Sequence, residues 1–231
     1  MPAVPNGFDK NAATPFSLTE VDRQVLAQTD DEFIYHDWDN LKTVIANNEL
    51  AGLKRKPSDL IRYITWTTKI KAKYGSITNY INQERLHWQL DPPADPGTLC
   101  KNPVPFADSR DYKILRNDWP YGMTPDITHI VVWLKNRIPV KPGDGDVTDE
   151  SRALIEKFVN ETFVARLESV FPDGNDARDR VLWFKNWVSL QSVRSLEHIH
   201  VLVRDVPDEI VTEWTGEAAK TKEEIDKQCE D

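Results

Sequence analysis

The sequence lacks any apolar run long enough to cross a membrane, which needs about 18 to 20 residues. Its first residues, MPAVPNGFDK, also lack the basic-then-apolar order of a secretory signal peptide. Only two cysteines occur, and Cys100 and Cys229 lie far apart, so no disulfide framework is indicated. These absences predict a cytoplasmic protein with no membrane partner.

Several signatures of nucleotide and metal chemistry are missing as well. There is no glycine-rich phosphate loop, dinucleotide fingerprint, serine-nucleophile elbow or cysteine-rich metal motif. The five histidines form no compact ligand set, and a metal site needs three or four ligands, so no metal is predicted. The formal net charge of −9 disfavours nonspecific wrapping of nucleic acid, although a local basic patch is compatible with it.

The length of 231 residues allows one sizeable core. We predict a loosely ordered lead-in over residues 1–18, a single α+β domain over 19–215 and a charged tail over 216–231. The domain is expected to pack several helices on a small, mainly antiparallel sheet. β-Branched residues predict one strand over 127–134, and period-two alternation predicts another over 196–203.

Capping side chains and apolar residues at helical spacing predict the helices. Asp37 or Asp39 is expected to cap one helix, and Ser58 the next. Further helices are predicted over 19–28, 76–88, 148–170 and 209–214. The proline-rich segment 91–105 indicates a loop, and the charged and aromatic segment 106–122 is expected to form the rim of a pocket.

Two histidines share one face of the predicted strand 196–203. Successive strand residues point to opposite faces, so His198 and His200 face the same way. Histidine titrates near neutral pH, which suits this pair to proton transfer or anion binding. We predict His200 as a base, oriented by His198 or Glu197, in a cleft shared with NDWPYG (117–122). The alternative, a pair of hydrogen-bonded structural histidines, stays open.

Positive charge is concentrated between residues 54 and 73 of this acidic chain. Basic residues interleaved with aromatic ones are typical of contact with a phosphate backbone and stacked bases. A solvated helix face is the alternative. The predicted tRNA contacts are Lys54, Arg55, Lys56, Lys69, Lys71 and Lys73.

A local motif resembles the histidine-triad nucleotide hydrolases and transferases. It comprises Asn186, Gln191-Ser192-Val193 and His198-Ile199-His200-Val201, with Leu202 where those enzymes carry a third histidine. The resemblance implies a nucleophilic role for His200. It also makes Asn186 and Gln191 candidates for substrate binding.

A longer resemblance covers most of the chain. The blocks YHDWDNLKTVIANNEL, KYGSITNYINQERLHW, PFADSRDYKILRNDWPYG and WFKNWVSLQSVRSLEHIHVLV are similar, in this order, to the fungal N-acetylglucosamine-induced protein family. That family is identified as including arginine-containing cyclodipeptide synthases of fungal secondary metabolism. The resemblance implies an aminoacyltransferase whose partners are arginyl-tRNA and a second aminoacyl-tRNA, with no cofactor because the ester is already activated.

Such an enzyme needs acidic groups that recognise arginine. A planar bidentate carboxylate contact is the specific way to select a guanidinium. The candidates are Asp108, Asp111, Asp118 and Glu197, and Trp119 and Tyr121 belong to the same predicted pocket. Two other functions stay open: a histidine-triad-like enzyme acting on a nucleotide or nucleotide sugar, and a non-enzymatic protein of the amino-sugar response.

Overall fold

A computed structural model describes residues 17–88, 100–143, 145–171, 176–187 and 190–227. In chain order the helices are α1 (Glu20–Leu26), α2 (Trp38–Ala46), α3 (Pro57–Tyr74), α4 (Ile77–Tyr80), α5 (Asp149–Val159), α6 (Ala165–Glu168), α7 (Asp176–Asp179), α8 (Asp208–Thr215) and α9 (Lys222–Lys227). The strands are β1 (Tyr112–Arg116), β2 (Ile127–Leu134), β3 (Val181–Phe184) and β4 (Glu197–Arg204). The predicted α+β class with a small antiparallel sheet is confirmed. No helix among the described residues is long and apolar enough to cross a membrane.

The chain groups into two compact units. The first contains the residues up to Tyr80, the segment Asp118–Thr124 and the residues from Ala219 onward. The second contains Ile81–Asn117 and Pro125–Ala218, and with them the whole sheet. The domain limits predicted at residues 18 and 215 stay predictions, and almost all of the predicted lead-in and most of the loop 91–105 lie outside the described residues.

Capping side chains fix the starts of several helices. Asp37 accepts a hydrogen bond from the amide of Asn40 at the start of α2, which confirms the predicted cap. Thr148 caps α5 in the same way through the amide of Ser151. Because a helix leaves its first amides without intrahelical partners, such caps define where it begins.

The predicted cap at Ser58 is wrong. Helix α3 begins two residues earlier than predicted, at Pro57, with Lys56 in the cap position. Proline is well suited to a first turn because it has no amide hydrogen to leave unbonded. The amide and hydroxyl of Ser58 donate instead to the carboxylate of Asp30, at 2.8 and 2.6 Å. The predicted buried stripe of α3, which includes Leu60 and Ile64, is present.

Two predicted helices contain π-helical turns. The predicted helix 76–88 consists of α4 followed by a π-helical segment, Ile81–Leu86. The predicted helix 148–170 consists of α5, the π-helical segment Asn160–Val164 and α6. Apolar periodicity predicts both segments as helical but does not distinguish the wider turn.

The strands form one antiparallel sheet in the order β1-β2-β4-β3. The strand predicted over 127–134 is confirmed with the same bounds, and the one predicted over 196–203 is found one residue later. The segment 106–122, predicted as a pocket rim, also contains a strand that was not predicted: β1 lies inside it and pairs along its length with β2. Its short sequence YKILR is poor in β-branched residues and gave no strand signal of its own.

The two faces of the sheet carry different side chains. Alternate residues of β2 and β4, such as Val132 and Val201, belong to the core that α5 and α8 cover. The intervening residues point to the opposite face, and they include the three histidines of the sheet. The separation of apolar and imidazole side chains therefore follows from the period of two along each strand.

Candidate active site

Three buried imidazoles gather on the sheet face opposite α5 and α8. His198 and His200 lie two residues apart on β4, and His129 on β2 is the register partner of Leu202. The ring centroids of His129 and His200 are 5.0 Å apart, and those of His198 and His200 are 5.3 Å apart. The predicted common face of His198 and His200 is confirmed.

Both ring nitrogens of His200 have a polar partner. Nδ1 lies 2.9 Å from Nε2 of His129, and Nε2 lies 3.2 Å from Nδ2 of Asn186. The Asn186 amide donates to Nε2, so a neutral His200 carries its hydrogen on Nδ1 and donates it to His129. The ring of Phe184 stacks on His200 with centroids 4.7 Å apart. This arrangement holds the ring in one orientation and directs a lone pair at Nε2 toward Asn186.

The loop that follows β3 holds Asn186 in place. Gln191 donates from Nε2 to the backbone carbonyl of Asn186 at 2.8 Å, and both side chains are buried. The structure therefore brings the predicted pair Asn186 and Gln191 to His200. Asn186 contacts the imidazole, and Gln191 acts on it through the backbone of Asn186.

His198 is held differently from His200. Its Nδ1 donates to the carbonyl of Leu196 at 2.9 Å, and its ring packs on Trp133 with centroids 4.6 Å apart. Burial lowers the pKa of His198 because the charged imidazolium loses its hydration, and the hydrogen bond to Leu196 opposes this effect. His198 is thus a neutral ring at neutral pH.

His129 was not predicted as a site residue. In the sequence it stands 69 positions from His198, outside any short motif. The antiparallel pairing of β2 with β4 brings it to His200, and Asn117 places its Nδ2 3.2 Å from Nε2 of His129. The only signal was a histidine inside the clearest predicted strand. Asn117 is the member of the predicted NDWPYG rim that lies beside these rings.

The prediction that Glu197 orients His200 is wrong. Its carboxylate forms an ion pair with Lys185, with Oε1 3.0 Å from Nζ, and Oε2 accepts from the amide of Ile138 at 3.2 Å. Alternation along β4 directs Glu197 away from the face that carries His200. The pair with Lys185 instead anchors the chain beside Asn186, because Lys185 directly precedes it.

The other carboxylates predicted to bind arginine have partners within the chain. Asp108 binds the guanidinium of Arg110 at 2.6 Å, and this hydrogen bond holds the pKa of Asp108 well below its usual range. Asp111 is buried and accepts hydrogen bonds from backbone amides, so its assignment to a substrate is corrected to a structural role. In the first unit, Asp118 forms an ion pair with Lys220 at 2.6 Å.

Part of the predicted tRNA-binding set also serves the fold of the first unit. Arg55 donates from Nε and Nη2 to the carbonyl of Trp119 at 3.2 and 3.0 Å, and it lies 4.3 Å from the ring centre of Tyr63 and 5.3 Å from that of Tyr121. Trp119 and Tyr121 are therefore partners of Arg55. The phosphate contact predicted for Arg55 is corrected to this packing role.

The remaining basic residues divide into two groups. Lys56 forms ion pairs with Asp30 and Asp59 at 3.5 and 3.9 Å, and Lys54 places Nζ 5.4 Å from the ring centre of Phe33. The other three lie near the end of α3 and are exposed: Lys69, Lys71 and Lys73. Of the predicted tRNA contacts, the exposed lysines are thus those in the last turns of α3.

In the described part of the chain, no three histidine, cysteine, aspartate or glutamate side chains are grouped so that they could hold a metal ion. The three imidazoles are instead linked through direct contacts between rings. This arrangement holds the imidazole of His200 in one orientation, with Nδ1 beside His129 and Nε2 beside Asn186.

Residues 37–204 match the family described as Protein of unknown function (DUF3605). N-acetylglucosamine-induced protein 1 of Candida albicans is 32% identical over 196 residues, which cover 76% of this chain and 71% of that protein. An uncharacterised protein of Saccharomyces cerevisiae is 31% identical over 166 residues, covering 72% of this chain and 77% of that protein. The crystal structure of HTC1 is similar with a TM-score of 0.55 at 28% identity, covering 84% of this chain and 93% of that one. The chain belongs to the DUF3605 family.

Proposed function

We propose that the protein is a transferase or hydrolase acting on a nucleotide or nucleotide sugar, with His200 as the attacking group. The observation that carries the proposal is the fixed His200 ring, whose Nδ1 lies 2.9 Å from His129 and whose Nε2 lies 3.2 Å from Asn186. An imidazole nucleophile needs an unprotonated nitrogen and an orienting partner on the other nitrogen. The resemblance of the His198 to Val201 strand to the histidine-triad enzymes supports the same role.

The proposed reaction proceeds in two displacements. Nε2 of His200 donates its lone pair to phosphorus, a nitrogen–phosphorus bond forms, and the bond from phosphorus to the leaving oxygen breaks. The leaving group departs with that bond pair and takes a proton from solvent. Asn186 turns its amide from Nε2 to a phosphoryl oxygen. Water or an acceptor hydroxyl then attacks phosphorus and releases its proton to solvent. The nitrogen–phosphorus bond breaks, and its electron pair returns to Nε2 of neutral His200.

The paired carboxylates favour this proposal over arginine-dependent chemistry. A site that selects arginine needs a carboxylate that can face the guanidinium. Asp108 binds Arg110, Asp111 binds backbone amides, Asp118 binds Lys220 and Glu197 binds Lys185. Nε2 of His200 accepts from the Asn186 amide, so it carries the lone pair that a phosphoryl transfer requires.

The test is mass spectrometry of a panel of nucleotides and nucleotide sugars incubated with the purified protein, together with intact-mass and peptide analysis. We expect consumption of at least one substrate and a phosphoryl or nucleotidyl adduct on the peptide that carries His200. His200→Asn should abolish both, and His87→Asn, at an exposed histidine, should change neither. A panel left unconsumed by folded protein would contradict the proposal, and binding without turnover would favour the non-enzymatic alternative.

A second candidate is a tRNA-dependent cyclodipeptide synthase acting in the cytoplasm. The observation that favours it is the exposed group Lys69, Lys71 and Lys73 at the end of α3, which offers positive charge to the tRNA backbone. In this reaction His200 takes a proton from the amino group of one aminoacyl-tRNA, the amine attacks the ester carbonyl of the other, and the tRNA leaves through its ribose oxygen. A second intramolecular attack closes the ring and releases the second tRNA.

Protein incubated with verified arginyl-tRNA and a mixture of other aminoacyl-tRNAs should then form an arginine-containing cyclic dipeptide. Changing the three lysines to glutamate should weaken tRNA binding and flatten its salt dependence by about one unit of slope per lost phosphate contact. The same change at Lys42, Lys141 and Lys157, which lie elsewhere on the chain, is the matched control. Absence of the dipeptide from wild-type protein would exclude this candidate.

A further inference from the structure

We infer that His129 is a positioning residue for His200, and that it supplies from the neighbouring strand the imidazole that position 202 of β4 lacks. The inference deepens the proposed function and rests on it. His129 is the register partner of Leu202, and partners in an antiparallel pair project to the same face. The imidazole of His129 on β2 therefore lies beside His200, on the face toward which a histidine at position 202 would also point.

The contact between the two rings is one of two hydrogen bonds that together favour one tautomer of His200, and Asn186 makes the other. A neutral imidazole has one N–H and one lone pair, and His129 Nε2 lies 2.9 Å from His200 Nδ1. With Asn186 donating to the other nitrogen, His129 accepts the Nδ1 hydrogen and leaves the lone pair on Nε2.

The contact between His129 and His200 also stabilises the positive charge that forms on the His200 ring during the reaction. Once Nε2 bonds to phosphorus, the His200 ring becomes cationic and its Nδ1 hydrogen becomes more acidic. His129 can accept that hydrogen more strongly, and the positive charge is shared between two rings. Both side chains are buried, so water does not compete for this hydrogen bond.

The backbone holds His129 firmly enough for this task. It is the third residue of β2 and is paired with β4 on one side. On the other side its carbonyl accepts from the amide of Asn117 at 2.9 Å. A ring carried on a central strand is a more exact support than one carried on a loop. His129 contacts Nδ1 of His200, whereas the proposed reacting atom is Nε2, so His129 acts through His200.

The experiment exploits the register partnership by exchanging the two side chains. His129→Leu removes the imidazole, and the double variant H129L/L202H returns one to the opposite strand. Long-range proton–nitrogen NMR of the histidine rings reports which nitrogen of His200 carries the hydrogen, without any substrate. We expect Nδ1–H in the wild type, a shift toward Nε2–H in H129L, and recovery of Nδ1–H in the exchanged variant.

Turnover of the nucleotide substrate should follow the tautomer. We expect kcat to fall on the order of 100-fold in H129L with KM little changed, and to recover in the exchanged variant. An unchanged His200 tautomer in folded H129L would overturn the inference. A tautomer that shifts as expected, in a protein that consumes no nucleotide, would reject the proposed reaction while leaving the positioning of His200 by His129 intact.

If H129L does not fold, His129→Gln keeps a side chain that can accept a hydrogen bond at this position. His129→Gln should retain the Nδ1–H tautomer of His200. Its turnover should exceed that of any folded fraction of His129→Leu. Loss of the tautomer in folded His129→Gln would count against hydrogen-bond acceptance as the role of His129.

Discussion

The carboxylate of Asp111 accepts a hydrogen bond from the backbone amide of Lys101, and its two oxygens lie 2.8 and 2.7 Å from the nitrogen. One of them also accepts from the amide of Asn102 at 2.8 Å. The carbonyl of Asp111 accepts in turn from the amide of Lys135 at 2.9 Å, just beyond the end of β2. A residue that the sequence offered as a partner for arginine thus ties a loop to the end of a strand.

We expect Asp111→Asn to lower the free energy of unfolding by about 1–3 kcal/mol, because the new amide group turns a buried N–H toward the backbone N–H of Lys101, where it has no acceptor. Chemical denaturation monitored by tryptophan fluorescence would measure the change. Asp108→Asn is the control, since its remaining oxygen can still accept from the amide of Arg110 and the guanidinium that it releases is exposed to water. Equal stability of the Asp111 variant and the wild type would contradict this role.

The Lys185–Glu197 ion pair leads to a second prediction. Its side chains are only 5% and 9% exposed. Glu197→Gln leaves the ammonium of Lys185 buried without its counter-charge. The free energy of unfolding should therefore fall by about 3–5 kcal/mol. Replacing both partners, as Lys185→Met with Glu197→Leu, should cost less than the single change. Glu161→Gln, in an exposed pair with Lys157, should have little effect on the denaturation midpoint.

The parts of the fold that the sequence could predict are those set by local pattern. The β-branched run gives β2 its bounds, Asp37 gives α2 its start, and alternation places His198 and His200 on one face. Each depends on residues within a few positions of one another. Local periodicity and capping are therefore sufficient for them.

The parts that the sequence could not predict depend on which strands pair and in what register. His129 joins the site only because β2 lies beside β4, and no short motif contains both residues. Charge alone was equally ambiguous, since the same basic segment holds Arg55, which packs against tyrosines, and Lys73, which is exposed. Tertiary partners decide between such roles, and residue type does not.

Gly122 provides a third prediction, because its backbone approaches an aromatic ring closely. A Cβ atom at this position would lie 2.4 Å from Cε1 of Phe33 and 3.2 Å from the backbone nitrogen of Lys56. Gly122→Ala should therefore destabilise the protein by about 1–3 kcal/mol through forced displacement of the ring. Gly52→Ala, which meets nothing within 4 Å, is the matched control. A Gly122→Ala variant with an unchanged thermal midpoint would show that Phe33 moves aside at no cost.

The buried ring of His198 predicts how stability depends on pH. Burial lowers its pKa in the folded chain, while the unfolded chain keeps the ordinary value near 6.5. Between those two values the unfolded chain binds a proton that the folded chain does not. Stability is therefore complete above about pH 6.5 and is lost as the pH falls toward the folded pKa, by at most about 1.4 kcal/mol per pH unit for this proton.

Denaturation series between pH 8 and pH 5 would measure this slope. His198→Gln should reduce it, because glutamine cannot titrate, although burial also lowers the pKa of His36 and that contribution should persist. If His198→Gln and wild-type protein lose stability in parallel on acidification, His198 accepts its proton as readily in the folded chain as in the unfolded one, and its neutral state is not imposed by burial.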